Sequence, residues 1–305
     1  MTNPTYYRIQ HRTSYQYSEP VVICQNQIRM TPREMSGALT AIHCRSSRLS
    51  IEPKPDFQNE HQDYFGNHVI SFSIESPHQQ LEVTSLSEVE IVNRAQPQQL
   101  PTKNWEAIRD GVSHTSDRHW LVVQEYMHDS PRITRSAAFA SYASRFFTPK
   151  RSFVEAAFAL TQQIHNDFSY LPGATHVGTT ARESFETRAG VCQDFAHVQI
   201  ACFRSIGLPS RYVSGYLRTE APSGGEKLVG ADESHAWVSC YAGDAIGWID
   251  FDPTNACFVQ DNHIPICVGR DYSEVSPMRG VVIGGGDSKL NVSVDVNAIA
   301  KSRQA

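Results

Sequence analysis

Paired cysteines are absent from this chain. Its 305 residues include seven cysteines, an odd number, and no two of them stand in a C-x-x-C arrangement. A disulfide-stabilised scaffold and a structural zinc site both need paired cysteines, so the sequence argues against each of them. We expect most of the seven to be small apolar residues of the core or of strands. They are Cys24, Cys44, Cys192, Cys202, Cys240, Cys257 and Cys267.

Long runs of one charge and long apolar runs are absent as well. The 27 basic and 32 acidic residues are dispersed and give a net charge of -5, so no basic surface is expected for nucleic acid or an anionic membrane. No apolar stretch approaches the length of a membrane span, and Met1 to Arg8 lacks the basic and apolar regions of a signal peptide. We therefore expect a cytoplasmic protein that binds neither nucleic acid nor membrane.

The first third of the sequence alternates in polarity with a period of two. From Tyr6 to Val92, short alternating segments are separated by turn residues, which is typical of β-strands. The polar stretch from Asn93 to Pro101 has no periodicity and is expected to be a linker. The sequence thus predicts an N-terminal β-sandwich-like domain over residues 1–97 and a second domain over residues 98–305.

Helical and strand signals are mixed in the second domain, which predicts an α+β fold. We expect two helices before Cys192. One lies between Ser136 and Phe147, and the other covers Ala156 to Ile164 after a Ser152-x-x-Glu155 capping box.

A further helix is predicted from Cys192 to Ser205, because apolar residues recur there with helical spacing and a glycine and a proline follow. Alternating residues then predict strands over 211–217, 235–241 and 247–251. An exposed loop is expected at Ser223-Gly-Gly225, and the C-terminal stretch reads as β-structure again.

Cys192 is the candidate nucleophile because of its place at the start of the predicted helix. The free N–H groups and the dipole at a helix N-terminus stabilise a thiolate, and a nearby imidazolium adds to this. Cys202 fits a packing role better. A metal site built from Cys192, His197 and Cys202 is not expected, because C-x4-H-x4-C matches no common ligand spacing. His197 is expected to face solvent or to make a local hydrogen bond.

His235 and Asp252 lie on neighbouring predicted strands. If Tyr241 pairs with Trp248 across the turn, Asp252 becomes the diagonal neighbour of His235 on one face of the sheet. Asp252 is then better placed than Asp250 to orient an imidazole. A slip of one residue would move both carboxylates to the opposite face.

Three blocks of the sequence together resemble the bacterial transglutaminase-like superfamily, a papain-like group of thiol enzymes. A fourth block resembles a loop of its bacterial branch, and the N-terminal half resembles the β-rich domain that precedes this core in those proteins. The first block runs from Thr187 through Gly190-Val-Cys192-Gln-Asp to Ala196 and on from Arg204 to Tyr216. The others are Ser234-His235-Ala-Trp237-Val, Gly247-Trp248-Ile-Asp-Phe-Asp252-Pro-Thr-Asn255 and the stretch from Gly269-Arg-Asp-Tyr272 to Pro277. In the N-terminal half they are Tyr15-Gln-Tyr17, Arg29-Met-Thr-Pro32 and Asp63-Tyr-Phe-Gly66-Asn67.

The resemblance implies a papain-like core in which a catalytic-cysteine helix packs on an antiparallel sheet. It implies Cys192 as nucleophile, His235 as base and Asp252 as the residue that orients the base. The expected activity is thiol-dependent acyl transfer on protein or peptide amides through a thioester, with no cofactor and no metal. We expect hydrolysis, as in a cysteine protease or amidase, ahead of amine transfer, as in a transglutaminase. A non-enzymatic peptide-binding module on the same fold is the remaining alternative.

Six further residues are candidates for the oxyanion hole or the substrate groove, beside the backbone N–H of Cys192. Gln193 and Tyr170 are candidates for the second oxyanion donor or for packing, Trp237 for the cleft wall or the core, and Arg270, Asp271 and Tyr272 for the groove or a polar turn. The expected partner is a protein or peptide substrate. The sequence leaves open a homo-oligomer or an operon-encoded partner.

Overall fold

The computed structural model describes residues 4–37, 39–97, 100–113, 118–219 and 233–300, and the predicted loop at 223–225 lies outside them. The described strands are β1 (Thr5–Ile28), β2 (Met35–Ser36), β3 (Thr40–Glu52), β4 (Phe57–Gln62), β5 (His68–Ile74), β6 (His78–Asn93), β7 (Ser169–Tyr170), β8 (Ala189–Gly190), β9 (Ser210–Leu217), β10 (Glu233–Tyr241), β11 (Trp248–Asp252), β12 (Cys257–Phe258), β13 (His263–Gly269), β14 (Met278–Gly284) and β15 (Ser288–Ala298). The described helices are α1 (Trp105–Ser113), α2 (Arg118–Gln124), α3 (Ala137–Ser144), α4 (Phe153–Asp167), α5 (Ala181–Thr187) and α6 (Cys192–Ser205). The predicted α+β class is confirmed. Among these helices none is both long and apolar enough to cross a bilayer.

Strand β1 is the centre of an eight-stranded first sheet. The order is β2-β3-β6-β1-β5-β4, and both β14 and β15 also pair with β1. The first half of β1 alternates buried Tyr7, Ile9 and His11 with exposed Arg8 and Gln10, as expected of a strand with one face on the core. The β-rich N-terminal region is thus confirmed, and it is built on one continuous sheet.

The last two strands return to this first sheet. Strand β15 pairs antiparallel with the first half of β1, and β14 pairs with its second half. Residues 278–298, which the sequence analysis assigns to the second domain, therefore pair with the first sheet. Alternation in this stretch shows a strand, but local pattern does not show which sheet the strand joins.

A five-stranded antiparallel sheet and α6 form the centre of the second half. The strand order is β12-β11-β10-β9-β13, and α6 packs against β9 and β10. Side chains from Gln193 to Arg204 are buried on every face of α6, because α3, α4 and α5 cover the sides that the sheet leaves free. The helix that begins at Cys192 is therefore held on all sides.

Five α-helices precede Cys192 within the described residues, where the sequence predicted two. The predicted capping box at Ser152 and Glu155 does not form: the Ser152 hydroxyl lies 2.9 Å from the Thr102 hydroxyl and caps no helix N–H group. A capping box closes the start of α5 instead, where Thr180 and Glu183 bond each other's backbone N–H groups.

A shared core and a buried asparagine join the two sheets. Tyr7 and Ile9 of β1 and Val294 of β15 belong to the same apolar cluster as the residues around α6. The Asn67 side chain donates to the Val268 carbonyl at 2.8 Å and accepts from the Val268 N–H at 2.8 Å, fully out of solvent. This pair of bonds ties the turn before β5 to strand β13.

Candidate active site

Cys192 is the first residue of α6, and Asp194 holds the chain in place just before it. The Asp194 carboxylate accepts the Val191 N–H at 2.8 Å and the hydroxyls of Thr175 and Ser184 at 2.6 and 2.8 Å. A Cβ atom on Gly190 would lie 2.4 Å from that carboxylate, so only glycine fits there. The Gly190-x-Cys192-x-Asp194 pattern thus fixes the backbone so that Cys192 lies at the N-terminus of α6.

The Cys192 thiol is half-buried and lines a cavity. Burial raises the pKa of the other six cysteines, which keeps those thiols protonated and poorly nucleophilic at neutral pH. Cys192 and His235 line the same cavity, and the hydrogen-bonding and charge effects of Cys192 contribute to raising the pKa of His235. An imidazolium beside a sulfur at a helix N-terminus favours the thiolate.

His235 lies on β10 and lines the cavity together with Cys192. Its Nε2–H donates to Asp252 Oδ2 at 2.8 Å, so Nδ1 is the ring nitrogen that this bond leaves free to exchange a proton. Burial lowers the pKa of this imidazole, but the hydrogen bonds and charges of Asp252 and Cys192 outweigh burial and raise it to about 10. The ring is therefore set to hold a proton between the two groups.

Asp252 accepts five hydrogen bonds although its side chain is completely buried. Oδ2 accepts from His235, from His263 Nε2 at 3.1 Å and from Asn255 Nδ2 at 2.7 Å. Oδ1 accepts the backbone N–H groups of Thr254 and Asn255 at 2.9 and 3.2 Å. Burial raises the pKa of this carboxyl, but the two histidines outweigh it and hold the pKa well below its usual range.

The strand register around this carboxylate agrees with the sequence in part. Tyr241 pairs with Trp248, as predicted, and the ladder of β10 and β11 ends at Val238 and Phe251. Asp252 lies one residue beyond this ladder, and on the other edge of β11 it pairs with Cys257 of β12, across the turn over residues 253–256. Its side chain still reaches the imidazole on the next strand.

Trp237 packs behind the imidazole and away from the cavity. It is fully buried, donates its indole N–H to Asp250 Oδ2 at 3.1 Å and meets the His263 ring edge-on at 5.3 Å. A Cβ on Gly215 would lie 2.4 Å from the Trp237 ring, so glycine makes room for this packing. Of the two roles expected for Trp237, the structure places it in the core role.

The cavity beside the sulfur has a volume of about 370 Å³. Two of the sequence candidates, Gln193 and Tyr272, line it, and Tyr170 does not. Tyr170 instead sits on β7, paired with Gly190. Tyr212 also lines the cavity, and burial followed by the charge of Cys192 raises its pKa, so its hydroxyl keeps its proton.

Arg270 and Asp271 stabilise the loop before β14 and do not line the cavity. The Arg270 guanidinium pairs with Glu274, with Nε–Oε1 at 2.9 Å. Asp271 is fully buried and accepts the Arg132 N–H at 2.8 Å and the Ser273 hydroxyl at 2.6 Å. Both residues thus act on the shape of the loop that carries Tyr272.

His197 is completely buried and bonds to a residue far away in sequence, so it neither faces solvent nor makes the expected local hydrogen bond. Its Nε2 accepts the Tyr272 N–H at 3.2 Å, and its ring lies 5.1 Å from the ring of Tyr212. Burial lowers its pKa to about 3, so the ring stays neutral. The His197 ring thus packs against Tyr212 and holds the backbone at Tyr272, and both tyrosines line the cavity.

Sequence reasoning missed His263, Asn255 and Tyr212. Asn255 and Tyr212 lie inside recognised blocks but were given no role. His263 opens a strand of otherwise apolar residues, so a polar residue at a buried position was the available signal. Ligand atoms of His235, Asp252 and His263 lie within 4.8 Å of one another, a spacing that could hold a metal ion. In this structure both Nε2 atoms are engaged by Asp252 Oδ2, at 2.8 and 3.1 Å.

Two regions of the chain match known families. Residues 7–90 match the bacterial transglutaminase-like N-terminal region, and residues 140–253 match the transglutaminase-like superfamily. Uncharacterized protein Rv2569c of Mycobacterium tuberculosis is 37% identical over 301 residues, which cover 95% of this chain and 92% of that protein. Uncharacterized protein ML0607 of Mycobacterium leprae is 32% identical over 96% of this chain and 99% of its own length.

A solved structure shares the fold over nearly the whole chain. It is the crystal structure of a candidate cysteine protease from Cytophaga hutchinsonii, with a TM-score of 0.73 and 20% identity. The similarity covers 99% of this chain and 93% of that one, so it includes the first sheet as well as the core around α6.

Proposed function

Because this chain belongs to the transglutaminase-like superfamily, we propose that it is a thiol-dependent acyl-transfer enzyme acting on protein or peptide amides. Cys192 is the nucleophile, His235 the acid and base, and Asp252 the residue that orients the imidazole. The observation that carries this proposal is that Cys192 and His235 line one cavity, while His235 Nε2–H donates to the buried Asp252 carboxylate at 2.8 Å.

The first chemical step follows from the positions of these groups. The Cys192 thiolate attacks the amide carbonyl carbon, and the C–S bond forms as the carbonyl electrons move to oxygen. His235 then gives its Nδ1 proton to the departing amine or ammonia as the C–N bond breaks, which leaves a thioester. Asp252 stays ionised throughout, because its five donors stabilise the negative charge.

The oxyanion requires donors beside the sulfur. The backbone N–H of Cys192 at the start of α6 is one donor. The Gln193 amide and the protonated Tyr212 hydroxyl are the two side-chain candidates for a second, since both line the cavity with Cys192. Tyr170 lies outside the cavity lining and is the weaker candidate.

Water completes the reaction in our proposal, so the enzyme is a cysteine protease or amidase. Transfer to an amine requires that water be kept from the thioester, whereas hydrolysis needs only an open cleft. The description of the Cytophaga hutchinsonii protein as a candidate cysteine protease supports the same direction.

A two-part incubation tests the proposal. The protein is mixed with unfolded casein and with a glutamine-containing peptide, each in the presence of a fluorescent primary amine, and the products are identified by mass spectrometry. Chain cleavage or conversion of glutamine to glutamate supports hydrolysis, and incorporation of the fluorescent amine supports transfer.

The control for this incubation is the pair Cys192→Ala and Cys257→Ala. Both cysteines are half-buried, but only Cys192 lines the cavity. Activity that survives in Cys192→Ala, or activity that is lost in Cys257→Ala and kept in Cys192→Ala, would contradict the assignment of the nucleophile.

A further inference from the structure

The cavity beside Cys192 is closed on one side by the first sheet. His11, Thr13 and Tyr15 of β1 and Leu290 and Val292 of β15 line it, opposite the residues of the core. Residues 10 to 16 and 289 to 293 are far apart in sequence, but β1 and β15 are neighbouring strands of one sheet. The N-terminal region therefore supplies part of the site itself.

His11, Thr13, Tyr15, Leu290 and Val292 together form one wall of the cavity. The strand register makes this wall a regular surface. Thr13 is directly opposite Val292, and Tyr15 is directly opposite Leu290, so the four side chains lie on one face of adjacent strands. His11 fixes the inner end of this face. Its Nδ1 lies 2.6 Å from the Tyr216 hydroxyl and its Nε2 lies 3.1 Å from the Thr13 hydroxyl.

The wall carries no charge at neutral pH. Burial lowers the pKa of His11 to about 4, so its ring is neutral, and burial raises the pKa of the Tyr15 phenol. Among the described residues that line the cavity there is no aspartate, glutamate, lysine or arginine. Away from Cys192 and His235, the described lining of the cavity is therefore uncharged.

An uncharged lining selects against charged substrate groups. A charged side chain that enters it loses hydration and finds no opposite charge, whereas an aliphatic or aromatic side chain gains from the contact with Leu290 and Val292. A cavity of about 370 Å³ lies within the range of ligand pockets and accommodates a large side chain.

We propose that this cavity binds an uncharged aliphatic or aromatic side chain of the peptide that carries the scissile amide, and that the β1–β15 face determines this specificity. The proposal deepens the proposed function, since it rests on Cys192 as the reacting group. It also assigns a role to the first sheet, which is to form the wall of the substrate site.

Peptides that differ in one side chain near the scissile amide test whether the cavity prefers uncharged side chains. The varied position carries leucine, phenylalanine, aspartate or lysine, and kcat/KM is measured for each peptide. We expect the leucine and phenylalanine peptides to exceed both charged peptides by about tenfold or more, because desolvation of a charge costs more than 1.4 kcal/mol.

Charge substitutions at Leu290 make the test specific. Leu290 is 51% exposed at the rim of the cavity, so a polar side chain there is compatible with folding. Leu290→Asp should shift the preference toward the lysine peptide by about tenfold, and Leu290→Lys should shift it toward the aspartate peptide by a similar factor.

Leu86→Asp is the matched control. Leu86 is 40% exposed on the same sheet, but it pairs with Gln10 and lies on the face turned away from the cavity. This variant should keep the wild-type order of the four peptides and show a melting temperature close to that of Leu290→Asp.

Binding to the Cys192→Ala form separates this proposal from the proposed function. The four peptides, labelled with a fluorophore, are titrated against Cys192→Ala alone and combined with each leucine substitution, and fluorescence anisotropy reports affinity without turnover. If the Leu290 substitutions leave the order of affinities unchanged, the wall is not the specificity surface, whatever the enzyme's activity. If the order follows Leu290 while the wild type turns nothing over, the binding proposal stands and the enzymatic one fails.

Discussion

His263 and His235 donate hydrogen bonds to the same oxygen of Asp252. The distances from Nε2 to Oδ2 are 3.1 Å for His263 and 2.8 Å for His235. His263 is buried and reaches the carboxylate from β13, while His235 reaches it from β10. The carboxylate that orients the imidazole is therefore itself held by a second imidazole, from a strand on the far side of β9.

Removal of this second donor should weaken catalysis without abolishing it. In His263→Ala, Asp252 loses one of its five hydrogen bonds, and we expect kcat/KM to fall by about tenfold, since a hydrogen bond to a charged group contributes about 1.5–3 kcal/mol. The pKa of Asp252 should rise, so the acid limb of the pH–rate profile should move to higher pH.

His263→Gln is the conservative comparison, because its amide can donate to Asp252. Partial return of both kcat/KM and the acid limb toward wild type would support a positioning role. A uniform loss in both variants with an unmoved acid limb would show that His263 matters only for packing.

The two aspartates of β11 should differ sharply. Asp252→Asn removes the charge that holds the imidazole, and we expect kcat to fall by about 100-fold or more. Asp250→Asn keeps an acceptor for the Trp237 indole and should cost about tenfold at most. Steady-state kinetics on both variants decides this, and the reverse order would mean that Asp250 rather than Asp252 orients His235.

Stability should depend on pH through His235. Its pKa is raised in the folded protein from 6.5 to about 10, so its contribution is complete below pH 6.5 and is lost as pH rises toward 10. Asp252 has a lowered pKa, so its contribution is present above its ordinary value of 3.8 and is lost in stronger acid.

Urea unfolding at pH 6 and pH 10 measures this dependence. The free energy of unfolding of the wild type should fall more over that interval than that of His235→Gln, in which the position cannot titrate. Equal falls in the two proteins would show that the buried imidazole is not held protonated by its neighbours.

Alkylation should single out Cys192. At pH 6 iodoacetamide should modify this thiol before the other six, because burial raises the pKa of each of those. Peptide mapping by mass spectrometry gives the rate at each site. His235→Ala should slow the reaction at Cys192 alone, and Cys257, which is also half-buried, is the internal reference. Similar rates at the two cysteines would argue against an activated nucleophile.

The parts of the site that lie close together in sequence could be predicted. Asp252 could be placed near His235 because β10 and β11 are joined by a short turn, and alternation along two adjacent strands sets which side chains share a face. The start of α6 could be predicted for the same reason, since the glycine, the cysteine and the helical spacing of apolar residues lie within one segment.

The parts that depend on long-range pairing could not be predicted. His263 meets Asp252 because β13 joins the sheet beyond β9, and Leu290 meets Tyr15 because β15 joins β1. No local pattern records such pairings. The capping box predicted at Ser152 fails for the same reason. Ser152 and Glu155 have the right spacing in sequence, but the Ser152 hydroxyl bonds the Thr102 hydroxyl, which lies in another segment.

The pairing of β15 with β1 also sets when during synthesis the cleft can exist. Thr13 emerges from the ribosome before α6, and Val292 opposite it emerges only after α6 and its sheet. A nascent chain can complete α6 and its sheet while the neutral wall is still missing. A partly synthesised chain can therefore hold Cys192 at the start of α6 before β15 completes the proposed specificity surface.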